Sequence, residues 1–147
     1  MNIAFFVASS EEEAAAAWRR GPGPGAESVA FWNAAFHPDS AVLTWEGWLA
    51  GVTIRDVKDL GQPHVVELPA NDGYAVFALS VRLLDALAAE EPSGLRELAA
   101  AWVEEEIRTE GSDAISLEAA AAVLERVSAL CRRAARARGD RVYYWRG

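Results

Sequence analysis

The sequence of 147 residues contains one cysteine, Cys131, and no long apolar run. A single cysteine cannot form a disulfide within the chain, which excludes the disulfide framework of small secreted domains. No stretch approaches the roughly 20 apolar residues of a membrane-spanning helix. The opening MNIAFFVASSEEE also lacks the basic region of a signal peptide. These absences predict a cytoplasmic protein without a membrane partner.

The sequence is also poor in the residues from which catalytic and metal sites are built. It has two histidines, His37 and His64, and no GxSxG motif for a hydrolase nucleophile. Cys131 lies on the apolar stripe of the last predicted helix, which favours a buried, unreactive thiol. The prolines of residues 21–25 (GPGPG) lack the N–H groups of a phosphate loop. We therefore predict no catalytic residue, no metal site and no cofactor.

What the sequence does contain is an ordinary globular composition with an excess of acid. Hydrophobic residues make up 52% and charged residues 24%, which fits one domain over residues 1–147. The net charge is −8, and it is divided unevenly. Residues 1–131 hold 21 acidic and 8 basic side chains, whereas residues 132–147 hold six arginines and one aspartate. An acidic body repels nucleic acid and attracts a basic protein, which is the partner we expect.

Strand and helix signals alternate in the first third of the chain. The apolar, β-branched and aromatic run at residues 2–8 predicts an opening strand. Ser9 and Ser10, each with a glutamate three residues further on, predict a helix over residues 11–20. The alternating glycine and proline of residues 21–25 predict a loop.

The next segment is less regular before a clear helix begins. Within residues 26–37 we expect a short helix that buries its aromatic residues, Trp32 among them. A stronger pattern predicts a helix over residues 38–50, with Gly51 as its stop. Thr53 then caps a further helical turn.

The second half predicts a hairpin followed by three helices. Residues 64–79 (HVVELPANDGYAVFAL) contain two β-rich runs, and Asp72-Gly73 predicts a tight turn between them. Apolar residues at helical spacing then follow three serines, each of which predicts a helix start. These serines are Ser80, Ser93 and Ser116.

The chain ends in RVYYWRG, which has the β-branched and aromatic content of a strand. An aromatic and arginine patch that stacks on nucleic acid is disfavoured by the acidic body. We therefore predict an α+β fold, in which a small, mostly antiparallel sheet is packed with about five to six helices. The N-terminal strand, the central hairpin and the C-terminal strand form that sheet.

This order of elements resembles a group of small uncharacterised bacterial α+β domains. The resemblance rests on the opening strand, the tryptophan-bearing helix that ends in WLAG, and the strand and serine-capped helix at VFALS. The long alanine-rich last helix and the closing aromatic strand complete it. The resemblance implies the same fold and covers nearly the whole chain, but the group has no assigned activity to carry over.

Two acidic segments are candidate binding surfaces. Trp45 and Trp48 flank Glu46 on one predicted helix, and exposed tryptophan beside acid is typical of a protein-binding hot spot. Packing of both tryptophans in the core is the alternative. The second segment is a run of glutamates in mid-helix that continues to Glu110 and Asp113, and it is either a solvated face or a docking surface. That run consists of Glu104, Glu105 and Glu106.

These segments lead to two hypotheses about function. The first is a non-enzymatic acidic module that binds a basic protein, of which bacterial immunity proteins and regulatory partners are examples. A second copy of the chain is another candidate partner, through the alanine-rich last helix. The alternative hypothesis is a small enzyme or ligand-binding protein with a pocket lined by histidine and carboxylate. That pocket would gather His37, Asp39, His64 and Glu67.

Overall fold

A computed structural model of the chain describes residues 1–70 and 72–147. In this part of the chain five strands form one antiparallel sheet, and six helices pack on it. The predicted α+β fold is confirmed. In chain order the elements are β1 (Ile3–Ala8), α1 (Glu11–Ala15), β2 (Ser28–Phe31), α2 (Pro38–Ala50), α3 (Ile54–Asp59), β3 (His64–Glu67), β4 (Ala75–Ala78), α4 (Val81–Ala89), α5 (Pro92–Glu110), α6 (Leu117–Arg136) and β5 (Arg141–Arg146).

The sheet has the strand order β2-β1-β5-β4-β3, so the C-terminal strand is its centre. β5 pairs along its whole length with β1 and pairs on its other side with β4. The aromatic ending of the chain is therefore core structure, as its composition predicts. A central strand needs side chains that pack on both faces, and VYYW supplies them.

Both faces of the sheet are covered. Side chains alternate along β5, so Val142 and Tyr144 enter the main core while Tyr143 and Trp145 enter a second one. The main core packs the sheet against α2, α4, α5 and α6. The second, smaller core packs the opposite face against α1 and the residues that follow it.

Most predicted helix starts are confirmed. Ser10, Thr53, Ser80 and Ser116 each accept a hydrogen bond from the N–H three residues further on, which satisfies a free donor of the first turn. Gly51 ends α2 in the left-handed conformation with φ of 68°, where glycine avoids the strain of a Cβ.

The helix α5 begins differently from the prediction. Pro92 is its first residue, and Glu91 precedes it without a side-chain cap. Ser93 is therefore inside the helix rather than at its start. Proline is well suited to the first position, because its missing N–H would have no partner there. In the described part of the chain, no helix is both long enough and apolar enough to span a membrane.

The first helix is shorter than predicted. α1 ends at Ala15, and turns replace the expected helix over residues 16–20. In a continued helix the carbonyl of Trp18 would accept the N–H of residue 22, but Pro22 has none. The Trp18 carbonyl instead accepts the indole N–H of Trp145 at 2.8 Å.

The predicted helix within residues 26–37 is wrong. Residues Ser28–Phe31 form β2 on the edge of the sheet, and Trp32 follows it with 66% of its surface exposed. β1 offers a free edge to this segment, and the side chain of Asn2 accepts the N–H of Asn33 at 3.1 Å. Strand pairing therefore overrides the weak helical pattern.

The predicted hairpin is confirmed as an antiparallel pair of β3 and β4. Its connection is longer than the expected two-residue turn, since it extends from Leu68 to Tyr74. Gly73 has φ of 94° and the Asp72 side chain accepts the N–H of Tyr74, so the local turn chemistry is present. Asn71 lies outside the described residues.

Candidate functional site

The first predicted surface, on α2, is mostly core. Trp45 is 0% exposed, and its ring packs edge-on against Trp102 with centroids 5.1 Å apart. Trp48 is 40% exposed on the outer side of the helix. The structure therefore removes Trp45 from the predicted binding surface and leaves Trp48 on it. Residues three apart on a helix are about 60° apart around its axis, which is enough to divide one pair between core and solvent.

Glu46 is also removed from that surface, because it is only 3% exposed. Its carboxylate accepts hydrogen bonds from the Ser80 hydroxyl and from Arg82, at 2.8 Å for Nη2. The Ser80 oxygen in turn caps α4 by accepting the N–H of Leu83. Glu46 thus joins α2 to the start of α4, and a buried carboxylate with these partners has a structural role.

The three adjacent glutamates of α5 lie in three different environments. Glu104 is exposed, and Glu105 is half-buried and forms an ion pair with Arg108. Glu106 is only 7% exposed and accepts a hydrogen bond at 3.3 Å from the indole N–H of Trp102. Successive residues are about 100° apart around a helix. Glu104 therefore faces solvent, Glu105 lies at the boundary and Glu106 faces the interior.

Glu106 opens onto a cleft of about 480 Å³. The segment before α2, one face of α2, α3 and the C-terminal end of α5 form its walls. Its four carboxylates outnumber its one lysine, Lys58, and it contains no arginine. This acidic cleft is lined by Met1, Ala34, Ala35, Phe36, His37, Ser40, Leu43, Thr44, Ile54, Lys58, Glu105, Glu106, Thr109, Glu110 and Asp113.

The carboxyl group of Glu106, which opens onto the acidic cleft, has a shifted pKa. Burial raises the pKa of this carboxyl above its ordinary value of 4.5. The charges of Glu110 and Glu105 raise the pKa further, while the Trp102 hydrogen bond and His37 lower it. Among the described residues no cation forms an ion pair with Glu106 within 4.0 Å. The ionised carboxylate is therefore held in an unfavourable place.

Replacing Glu106 with glutamine is expected to increase the free energy of unfolding at pH 7. The folded-state pKa is raised, so the wild-type carboxyl contributes stability below its unfolded pKa and loses it as pH increases through the folded pKa. The variant has no such titration. Urea unfolding of both proteins as a function of pH measures the difference, which should widen with pH above 4.5. A constant difference across this window would contradict the prediction.

His37 reaches the acidic cleft as the N-cap of α2. Its Nδ1 accepts the backbone N–H of Asp39 at 3.3 Å, so the proton of the neutral ring is on Nε2. Asp39 itself points toward the sheet, where the Tyr144 hydroxyl donates to it at 3.0 Å and Arg146 approaches to 3.4 Å. Burial, followed by the charge of Asp39, raises the pKa of Tyr144 well above 10.0. Asp39 therefore anchors α2 to β5.

The alternative pocket predicted from the sequence is not assembled. His64 bonds to Glu11 at 2.9 Å on the face of the sheet that α1 covers. His37 precedes α2 on the opposite face, so the sheet separates the two histidines. Glu67 lies on the edge strand β3. A shared pocket for this set requires a proximity that the antiparallel topology does not provide.

The sequence also raised the thiol of Cys131 and a metal site as possible chemical groups. Cys131 is fully buried, and burial raises its pKa to about 12, which holds the thiol protonated at neutral pH. Among residues 1–70 and 72–147, no three His, Cys, Asp or Glu side chains are grouped so that they could hold a metal ion.

Comparison with known proteins finds no matching protein family, no matching curated protein and no matching solved structure. The predicted resemblance to uncharacterised bacterial domains therefore stays a prediction.

Several residues of the acidic cleft had only a weak signal in the sequence. Glu110 and Asp113 continue the acidic run, and this continuity is the one feature that pointed to them. Lys58 and Thr44 come from other helices, and no pattern along the chain connects them to α5.

Proposed function

We propose that the protein is a non-enzymatic acidic binding module that recognises a basic surface of another protein through the acidic cleft. The observation that carries this proposal is Glu106, a buried carboxylate that forms no ion pair with any cation of the described residues. A buried charge without a partner lowers stability. A cation supplied by a partner would relieve that cost.

The surroundings of Glu106 support recognition of a protein. Glu110 and Asp113 are exposed at the rim, and neither forms an ion pair among the described residues. Phe36, Leu43 and Ile54 add an apolar wall. Apolar contacts at the centre and charged groups at the rim are the usual arrangement of a protein interface.

An immunity-type or regulatory protein that covers a basic partner fits this arrangement and the net charge of −8. We further propose a cytoplasmic location, which the single buried thiol supports. The size and acidity of the chain resemble those of such partners.

Reversing the charge at the rim is expected to abolish recognition. A Glu110→Lys, Asp113→Lys double variant should weaken binding of a basic partner at least about tenfold, because like charges replace a complementary pair. Immobilised protein is incubated with extract of the native cell, and the retained proteins are identified and then purified for titration. Wild-type binding should weaken as ionic strength increases.

A matched control carries the same change of charge elsewhere. Asp85→Lys with Glu97→Lys alters two exposed residues of α4 and α5 that form no ion pair or side-chain hydrogen bond in the described part of the chain. It should keep the partner. If both double variants lose the partner equally, net charge rather than the acidic cleft governs binding. If both keep it, the proposed surface is wrong.

A further inference from the structure

The carboxylate of Glu106 has one oxygen free to meet a ligand. Trp102 donates to Oε1, and no described residue donates to Oε2. In the described residues, the enclosed side-chain atoms without a hydrogen-bond partner are Trp45 Nε1 and Arg146 Nε. Oε2 is not among them, so it is open to the acidic cleft although the residue is 7% exposed.

Two of the three hydroxyl groups that line the acidic cleft, those of Thr44 and Thr109 but not Ser40, already donate their protons within the protein. Thr44 donates its proton to the carbonyl of Ser40 at 3.1 Å. Thr109 donates to the carbonyl of Glu105, also at 3.1 Å. Each hydroxyl therefore turns lone pairs rather than a proton toward its surroundings. A ligand that carries only donors matches these oxygens and the carboxylates.

The aromatic ring in the apolar wall favours one kind of hydrogen-bond donor on the ligand, the guanidinium group. Phe36 lines the acidic cleft, and its ring is held edge-on to Trp102 with centroids 5.2 Å apart. A guanidinium group is planar, weakly hydrated, and able to stack on a ring while it binds a carboxylate, whereas an ammonium group is compact and strongly hydrated. A metal ion would need a group of ligands that the described residues do not provide.

We infer that the acidic cleft receives the guanidinium group of an arginine side chain, with Glu106 as its acceptor and Phe36 beside its plane. This inference rests on the proposed function and names the group by which the basic partner is anchored. Glu106 accepts the guanidinium through Oε2, and the threonine oxygens take its remaining N–H groups. Glu110 and Asp113 at the rim attract the cation before it enters.

The test uses small probes in place of the unidentified partner. N-acetyl-arginine amide and N-acetyl-lysine amide are titrated into the ¹⁵N-labelled protein, and the indole N–H signal of Trp102 is followed by NMR. This N–H donates to Glu106, so it reports directly on that carboxylate. The arginine probe should shift the signal saturably, and the lysine probe should bind at least about fivefold more weakly.

Two variants test whether arginine binding depends on Glu106 itself or only on the overall negative charge of the protein. Glu106→Gln should weaken arginine binding at least about tenfold, because it removes a charge-assisted hydrogen bond, while Glu104→Gln on the exposed side of α5 should leave it unchanged. The NMR spectrum of each variant verifies its fold. The inference is overturned if the arginine probe gives no saturable shift, if both probes bind equally, or if Glu106→Gln binds as the wild type does.

The two proposals can fail separately. If the rim reversal loses the basic partner but the arginine probe does not bind, the acidic module stands and the arginine anchor is wrong. If the arginine probe binds and the rim reversal still keeps the partner, the arginine site stands and the proposed protein-binding surface is wrong.

Discussion

Replacing Trp45 with alanine is expected to lower the free energy of unfolding by about 3–5 kcal/mol, the range for removal of a buried tryptophan. The ring is fully buried between Phe5, with centroids 5.9 Å apart, and Trp102, with centroids 5.1 Å apart. Equilibrium unfolding in urea, followed by circular dichroism, measures the loss.

Two further variants make this result specific. Trp48→Ala should change the free energy of unfolding by less than about 1 kcal/mol, because this side chain is 40% exposed. Trp45→Phe should cost less than Trp45→Ala, since it keeps a ring and removes an indole N–H that has no acceptor among the described residues. Equal losses for Trp45→Ala and Trp48→Ala would mean that the two tryptophans share one environment and would contradict the fold.

The features that the sequence predicted well are those determined locally. A serine or threonine before a helix satisfies N–H groups within its own first turn, so Thr53, Ser80 and Ser116 could be placed from the sequence. Strand β5 was recognisable by composition. Its central place in the sheet depends on partners far along the chain, which composition does not specify.

The wrong predictions have a common physical origin in long-range pairing. Residues near Trp32 were predicted as helix, but β1 provides an edge for Ser28–Phe31 to pair with. Trp45 and Trp48 have the same residue type and lie three residues apart, but Trp45 packs against Phe5 and Trp102 and is buried, whereas Trp48 is exposed. Helical spacing predicts a stripe, but the width of the stripe depends on the neighbouring elements.

The candidate site was predictable only as a region. The acidic run of α5 pointed to the right helix, but the sequence could not distinguish exposed Glu104 from buried Glu106. His37 was placed in a pocket with His64, although the sheet separates them and His37 instead faces the glutamates of α5. The walls of the acidic cleft come from separate helices, so its residues are far apart in the sequence and form no pattern that could be recognised there.

Glu46 and Glu106 are two buried carboxylates with different partners. Glu46 is bonded by Ser80 and Arg82, so its charge is compensated inside the fold. Glu106 receives one indole N–H and no cation from the described residues. Unfavourable placement of a charge is more common at functional sites than elsewhere. This contrast directs the functional proposal to the acidic cleft rather than to α2.

Replacing Tyr144 with alanine is expected to lower the free energy of unfolding by about 3–5 kcal/mol, as for other buried aromatic residues. Its ring stacks on Phe77 with centroids 5.0 Å apart and packs against Phe5 at 5.6 Å. Its hydroxyl donates to Asp39 at 3.0 Å and so joins the central strand to the start of α2. Urea unfolding of the variant measures the loss.

Matched variants divide this loss between the ring and the hydroxyl. Tyr144→Phe should cost about 1 kcal/mol, the usual value of one hydrogen bond, because Arg146 remains beside Asp39. Val65→Ala on the edge strand β3, where the side chain is 48% exposed, should cost less than about 1 kcal/mol. A loss at Tyr144→Ala as small as that at Val65→Ala would show that β5 is peripheral in solution. A large loss of unfolding free energy in Tyr144→Ala, together with a small loss in Tyr144→Phe, would show that the ring and not the hydroxyl supplies most of the stability. The aromatic ending would then stabilise the protein through ring packing at the centre of the sheet.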